Sequence, residues 1–110
     1  MKLDDVVKEI SLDLKTCNSC LNNQVTGAYV SDLLSDVMAN SKNGNIWITL
    51  QMHMNIVAVA GLNNLAGIVV VGGRQPDQEI LKKAETEKVA ILTTPLTAFE
   101  IAGRLYRMLN

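Results

Sequence analysis

The chain has 110 residues and a mass of 12.0 kDa, with 48% hydrophobic and 19% charged residues. That is room for one domain with one core, and too apolar a composition for disorder. A formal net charge of -1 and the absence of any basic stripe exclude the electrostatic footprint of a nucleic-acid binder.

The first element is an expected helix over residues 3–12, with Leu3, Val6, Val7 and Ile10 on one face and Asp4, Asp5, Lys8 and Glu9 on the other. Leu12-Asp13-Leu14-Lys15 alternates like a short edge strand, and Cys17-Asn18-Ser19-Cys20 reads as loop. Residues 25–30 form the next expected strand. Ser31 is placed to cap the helix that follows, with Asp32 favourable against its dipole. Leu33, Leu34, Val37 and Met38 then share that helix's apolar face, which ends near Asn40.

No Asp, Glu, Lys or Arg occurs between Lys42 and Arg74. Polar and glycine residues interrupt this stretch, among them Gln51, His53, Asn55, Asn63, Asn64, Gly61 and Gly67, so it reads as the buried centre of a fold and not a membrane span. Residues 46–50 are β-branched and aromatic, as a strand is. The alanine content of residues 54–62 favours a helix. Residues 67–72 are apolar on both faces, the pattern of a strand covered by helices on each side of a parallel sheet. Residues 77–88 form an exposed helix and residues 90–93 another buried strand.

Thr97 and Glu100 hold the spacing of a capping box, and Leu96 and Ile101 that of a hydrophobic staple. The last helix is assigned a buried stripe of Ala98, Ala102, Leu105 and Leu109, leaving Phe99, Ile101, Tyr106 and Met108 for another surface. Alternation of strands and helices points to a three-layer α/β/α fold with a mostly parallel sheet, in a single domain spanning residues 1–110.

In a parallel sheet the strand-to-helix turns lie at one edge, where ligands bind. The polar residues there are Gln51, His53, Gly72, Gly73, Arg74, Thr93 and Thr94, and they form the candidate ligand site for an anion such as a nucleotide or phosphorylated metabolite. The glycines fit neither a Walker loop nor a dinucleotide fingerprint. Thr97 is committed to its capping box. His53, the single histidine, lacks an accompanying nucleophile motif and is read as a hydrogen-bonded helix-start residue. Asp32 and Asp36 are spaced as a carboxylate pair on one helix face, a pattern that solvated acids also produce. Cys17 and Cys20 supply two of the four ligands a structural zinc needs, so they are read as unlinked, reduced loop thiols without metal. Neither a catalytic signature nor a cofactor motif is found. An N-terminus without an apolar leader implies a cytoplasmic protein.

Three stretches carry a family resemblance: GAYVSDLLSDVMA at residues 27–39, VGGRQPD at 71–77 and TTPLTAFEIAGRL at 93–105. Together they resemble the stand-alone DRTGG-domain proteins of bacteria and archaea over nearly the whole chain. Gly72 and Gly73 stand for the glycine pair of the family's motif, and its Asp-Arg is missing. The resemblance implies an α/β domain similar to the N-terminal domain of HPr kinase/phosphorylase, used as a regulatory accessory in larger proteins, with no kinase activity of its own. The resulting expectation is a non-catalytic regulatory or interaction module that associates with itself, as a homodimer, and with an unidentified protein partner. Nucleic acid and membrane are not expected partners. Phe99, Ala102, Gly103 and Tyr106 on the last helix are the expected oligomer surface.

Overall fold

A computed structural model describes residues 1–110. Five helices and five strands are formed: α1 (Leu3–Ile10), β1 (Asp13–Leu14), β2 (Gly27–Val30), α2 (Leu34–Asn40), β3 (Asn45–Thr49), α3 (Asn55–Leu62), β4 (Gly67–Val70), α4 (Gln78–Thr86), β5 (Ile91–Thr93) and α5 (Ala98–Leu109). The sheet order is β1-β5-β4-β3-β2. Strands β2 to β5 run parallel, and β1 closes the far edge antiparallel to β5. The fold is therefore the expected layered α/β arrangement.

Side chains alternate across the sheet, so the strands contribute to the apolar interior on both faces of the single sheet. Ile46, Ile48, Val69 and Leu92 face α1 and α5, meeting Leu3, Val6, Ile101 and Leu105. Trp47, Ile68, Val70 and Ile91 face α2, α3 and α4, meeting Val37, Ile56 and Ile80. Every residue of β3, β4 and β5 is buried, which explains why their sequences show no polar alternation. Trp47 also spends its indole N–H, donating to the Ser31 carbonyl at 2.8 Å. No helix is long and apolar enough to cross a membrane; the uncharged middle of the chain is β3, α3 and β4.

The starts of α4 and α5 are fixed by side-chain caps. Asp77 accepts from the Ile80 N–H at 3.0 Å. Thr97 and Glu100 form the capping box, each accepting the other's backbone N–H. Leu96 packs against the cluster that holds Ile101, as the staple requires.

The structure corrects four expectations. Ser31 and Asp32 are not the start of α2, which begins three residues later at Leu34. Ser31 accepts from the Leu33 N–H at 3.1 Å, and Asp32 is drawn to β3, as described below. With the helix shortened and displaced to the rim, only Val37 is buried on it; Leu33 and Met38 face outward. The phase of α5 also differs. Ile101 is fully buried beside Leu105 and Met108 is half-buried against the same core, because the pair at i and i+4 is the one centred on the sheet. Ala98, Ala102 and Leu109 flank them as half-buried neighbours, and Phe99 and Tyr106 remain outside. The segment after Cys17 is a 3-10 turn (Asn18–Asn22) instead of open loop. Finally, Cys17 and Cys20 are joined in a disulfide. Cys17 precedes the turn in a left-handed conformation, and its carbonyl accepts from the Cys20 N–H at 2.9 Å, which folds the chain back so that the two sulfurs meet.

The burial of Ile101 on α5 is measurable against an exposed leucine. Ile101→Ala is expected to lower stability by about 2–5 kcal/mol, the usual cost of emptying a buried aliphatic site. Leu62→Ala, on the exposed end of α3, should change it by less than about 0.5 kcal/mol. Urea titrations of both variants against the parent check the contrast.

Candidate functional site

Four strand-to-helix turns meet at the carboxyl edge of the sheet, after β2, β3, β4 and β5. They are held to one another by hydrogen bonds that use up most of their polar groups. Asp32 Oδ1 accepts from the Thr49 hydroxyl at 2.7 Å and from the Leu50 N–H at 2.8 Å, tying the β2 turn to the end of β3. Gln51 Nε2 donates back to the Asp32 carbonyl at 3.2 Å. Gln51 Oε1 accepts from the N–H groups of Met52 and His53, at 3.1 and 3.0 Å. Gln51 is therefore the brace of its own turn.

The glycine turn is held in the same way. Gly72 and Gly73 adopt φ of 71° and 75°, a left-handed conformation that costs other residues energy. Their N–H groups donate to the Leu96 carbonyl at 2.7 Å and the Thr94 carbonyl at 3.0 Å. Neither N–H is left for an anion, so the expected glycine cradle is instead a fastening between the β4 and β5 turns. Thr93 and Thr94 are buried beneath it, and the Thr94 hydroxyl accepts from the Leu96 N–H at 3.2 Å.

What stays open at this edge is a shallow cleft of about 540 Å³ lined by Asp32, Leu50, Gln51, Met52, His53 and Arg74. The structure thus brings Gln51, His53 and Arg74 together, adds Asp32, and sets Gly72, Gly73, Thr93 and Thr94 behind them as support. The sequence pattern places Asp32 at the start of α2, whereas it lies before that helix. The pairing of Val30 with Ile48 in neighbouring parallel strands carries the signal that places it beside the end of β3. His53 Nδ1 accepts from the Asn55 N–H at 3.0 Å, so the neutral ring carries its proton on Nε2. Arg74 makes no ion pair; the three in the molecule lie elsewhere on the surface. A cation, an N–H donor and a carboxylate oxygen in one cleft can hold a ligand with an anionic group and a hydroxyl or amine. The cleft lining includes no serine, cysteine or lysine to act as nucleophile.

Asp36 stands apart from Asp32. Its Oδ1 accepts from the Tyr29 hydroxyl at 2.8 Å and from the Asn40 side chain at 2.9 Å, pinning α2 onto β2. The Ser31 hydroxyl, then Tyr29 and Asn40, hold the Asp36 carboxyl below the usual aspartate range. The hydrogen bond to Asp36 in turn raises the Tyr29 phenol above its ordinary value.

A second surface lies at the side of the sheet, where β2 is an open edge. A groove of about 270 Å³ runs between β2 and α5, lined by Ala28, Val30, Ala102, Tyr106 and Leu109 among others, none of its lining residues charged. Phe99 is 88% exposed and Tyr106 72% exposed, with Gly103 on the surface between them. The four expected oligomer residues therefore occupy one side of α5, next to the free strand.

Both surfaces sit on a fold with known relatives. The DRTGG domain pattern matches residues 15–108, and the chain belongs to the DRTGG-domain family. Its fold is similar to that of the CBS and DRTGG domains of the regulatory region of Clostridium perfringens pyrophosphatase, solved in complex with the activator diadenosine tetraphosphate. The TM-score is 0.73 at 22% sequence identity, covering 94% of this chain and 45% of that one, so this chain spans less than half of its structural neighbour. No curated protein matches the sequence.

Two outcomes test these assignments. Gly72→Ala should destabilise the fold by about 1–2 kcal/mol, the cost of a left-handed non-glycine residue, whether or not ligand is present. The Asp36 carboxyl, depressed in the folded state, contributes stability that is present above about pH 3.9 and lost as pH falls through its lower folded value. Tyr29, raised in the folded state, contributes stability present below about pH 10 and lost as pH rises through its higher folded value. Denaturation midpoints measured across pH should show both limbs in the parent. Tyr29→Phe should lose the alkaline limb and weaken the acidic one.

Proposed function

We propose that this domain is a regulatory module without chemistry of its own, which self-associates and acts on a metabolic or signalling protein partner in the cytoplasm. The observation that carries the reading is the state of the two sheet edges. At one, β1 is two residues long and flanked by the Asp13–Lys15 ion pair, the kind of short, charged edge that resists pairing. At the other, β2 carries no charge, no proline and no covering segment. Ser31 N–H donates to the Ile48 carbonyl, which fixes the alternation along β2 and turns the Ala28 and Val30 backbone groups away from β3. A two-fold axis at Tyr29 would pair Ala28 of one copy with Val30 of the other. The same axis brings the Phe99, Ala102, Gly103 and Tyr106 side of each α5 towards its mate. An uncharged surface meets its own copy without repulsion, and closed two-fold dimers are the commonest symmetric assembly. The structural neighbour is itself part of a regulatory region, which agrees with a regulatory role here.

A second reading is favoured by the cleft of Asp32, His53 and Arg74, with Gln51 as its brace: a sensor for a small anionic ligand, a nucleotide or phosphorylated metabolite. The activator in the neighbour's complex is a nucleotide, in keeping with that ligand class.

Light scattering at micromolar concentration tests the first reading. It should give about twice the 12.0 kDa chain mass, and Tyr106→Glu should return the single-chain value; a parent protein that scatters as one chain rejects self-association. A thermal-shift panel of nucleotides and phosphorylated metabolites tests the second. A ligand at 100 times its Kd adds about 2.7 kcal/mol of stability, and Arg74→Ala should weaken its binding by about 1.5–3 kcal/mol. A panel without any shift rejects the sensor.

A further inference from the structure

The segment after β1 is held more firmly than a surface turn needs. The Thr16 hydroxyl donates to the Val89 carbonyl at 2.7 Å and accepts from the Ile91 N–H at 2.9 Å, both inside the protein. The Cys17 N–H donates to the Glu85 carboxylate at 2.6 Å, at the end of α4. The 3-10 turn that follows packs on α1, and Cys17 and Cys20 are only 4% and 5% exposed within the core shared by α1 and α5. The disulfide sits in this junction of the N-terminal segment with the turn between α4 and β5. It closes a loop of only three residues' separation, so it removes little entropy from the unfolded chain. Its presence is poorly explained as a staple for the fold.

The surroundings of the sulfurs point to a different use. Cys20 Sγ lies 3.3 Å from the Lys88 carbonyl, and Cys17 Sγ lies 3.7 Å from the Ser19 hydroxyl. A disulfide sulfur has no proton to donate, so the first contact becomes a hydrogen bond only when Cys20 is a thiol. The second likewise accommodates a Cys17 thiol. The oxidised pair satisfies the site by its covalent bond; the reduced pair satisfies it by donating to acceptors already in place. Reduction moves the sulfurs apart to van der Waals distance, and Thr16, with its two buried hydrogen bonds, anchors the preceding segment outside the pair.

We propose that Cys17 and Cys20 form a reversible thiol–disulfide site that clasps or frees the 3-10 turn between α1 and the α4–β5 junction. The co-reactant is a low-molecular-weight thiol. Its thiolate attacks one sulfur of the pair, forming a mixed disulfide and expelling the other sulfur as a thiolate, which takes up a proton. A second thiolate attacks the mixed disulfide, freeing the remaining protein thiolate for protonation and leaving as the small-molecule disulfide. Two electrons and two protons enter the protein, and the reverse sequence withdraws them. Because both sulfurs are buried, exchange waits on local opening of the turn, while the sheet remains intact.

The test is a titration of the native protein in glutathione buffers of varied reduced-to-oxidised ratio, quenched in acid, alkylated and weighed intact. The expected result is reversible interconversion between no free thiols and two per chain, with unchanged circular dichroism. Amide exchange over residues 17–23 should be at least several-fold faster in the reduced form, with the sheet amides unaffected. Cys17→Ser/Cys20→Ser should show the faster exchange in every buffer. A thiol count that changes only in denaturant overturns the proposal. So does a stable single glutathione adduct, loss of the fold on reduction, or equal exchange of the turn in both states.

Discussion

Burial of β3, β4 and β5 on both faces is the constraint from which the rest of this structure follows. A parallel strand needs a crossover to reach the next one, and a strand apolar on both sides needs that crossover to be a helix packed above or below. Leu3, Val6, Ile101 and Leu105 supply the cover on one side; Val37, Ile56, Ile80 and Ala84 supply it on the other. Once the strands are parallel, their polar turns must gather at a single edge. A sheet that does not close into a barrel must also have two sides. The cleft and the open flank of β2 are therefore both consequences of the same buried sheet.

The two surfaces differ in how much of their chemistry the fold has already spent. At the turn edge, Gly72, Gly73, Gln51 and Thr94 bond to neighbouring turns, and only the outward atoms of Asp32, His53 and Arg74 remain available. At the flank, almost nothing is spent. The outward backbone of Ala28 and Val30 and the rings of Phe99 and Tyr106 are left to solvent. The three ion pairs of the molecule lie elsewhere, so this flank is apolar and exposed where the turn edge is polar and braced.

Sequence patterning was most informative where one force acts alone. The uninterrupted apolar run of β4 and the Thr97–Glu100 capping box were legible because burial and capping each leave a direct mark. The phase of α5 was harder, since Ala98, Ile101, Ala102, Leu105, Met108 and Leu109 offer two overlapping stripes, and only the position of the sheet decides between them. Asp32 reads as a first-turn acid beside the Ser31 cap because a carboxylate at a helix start is favourable against the dipole. The Thr49 hydroxyl and the Leu50 N–H, seventeen and eighteen residues away, compete for it in three dimensions. The turns of the candidate ligand site share one edge, as parallel strands require, yet which of their polar atoms face outward is set by bonds between turns, and these leave no trace in local sequence. The Cys17–Cys20 link escaped for a similar reason, because a 3-10 turn without an apolar pattern reads as loop.

We propose the free edge of β2 as the place where two copies of this chain meet. This is tested most directly by hydrogen exchange at Ala28 and Val30, whose N–H groups point away from β3. If two copies join strand to strand, these amides become protected as protein concentration rises and exchange freely when it is diluted, while the amides of β4 stay protected throughout. Exchange at Ala28 and Val30 that is fast and independent of concentration would contradict the account.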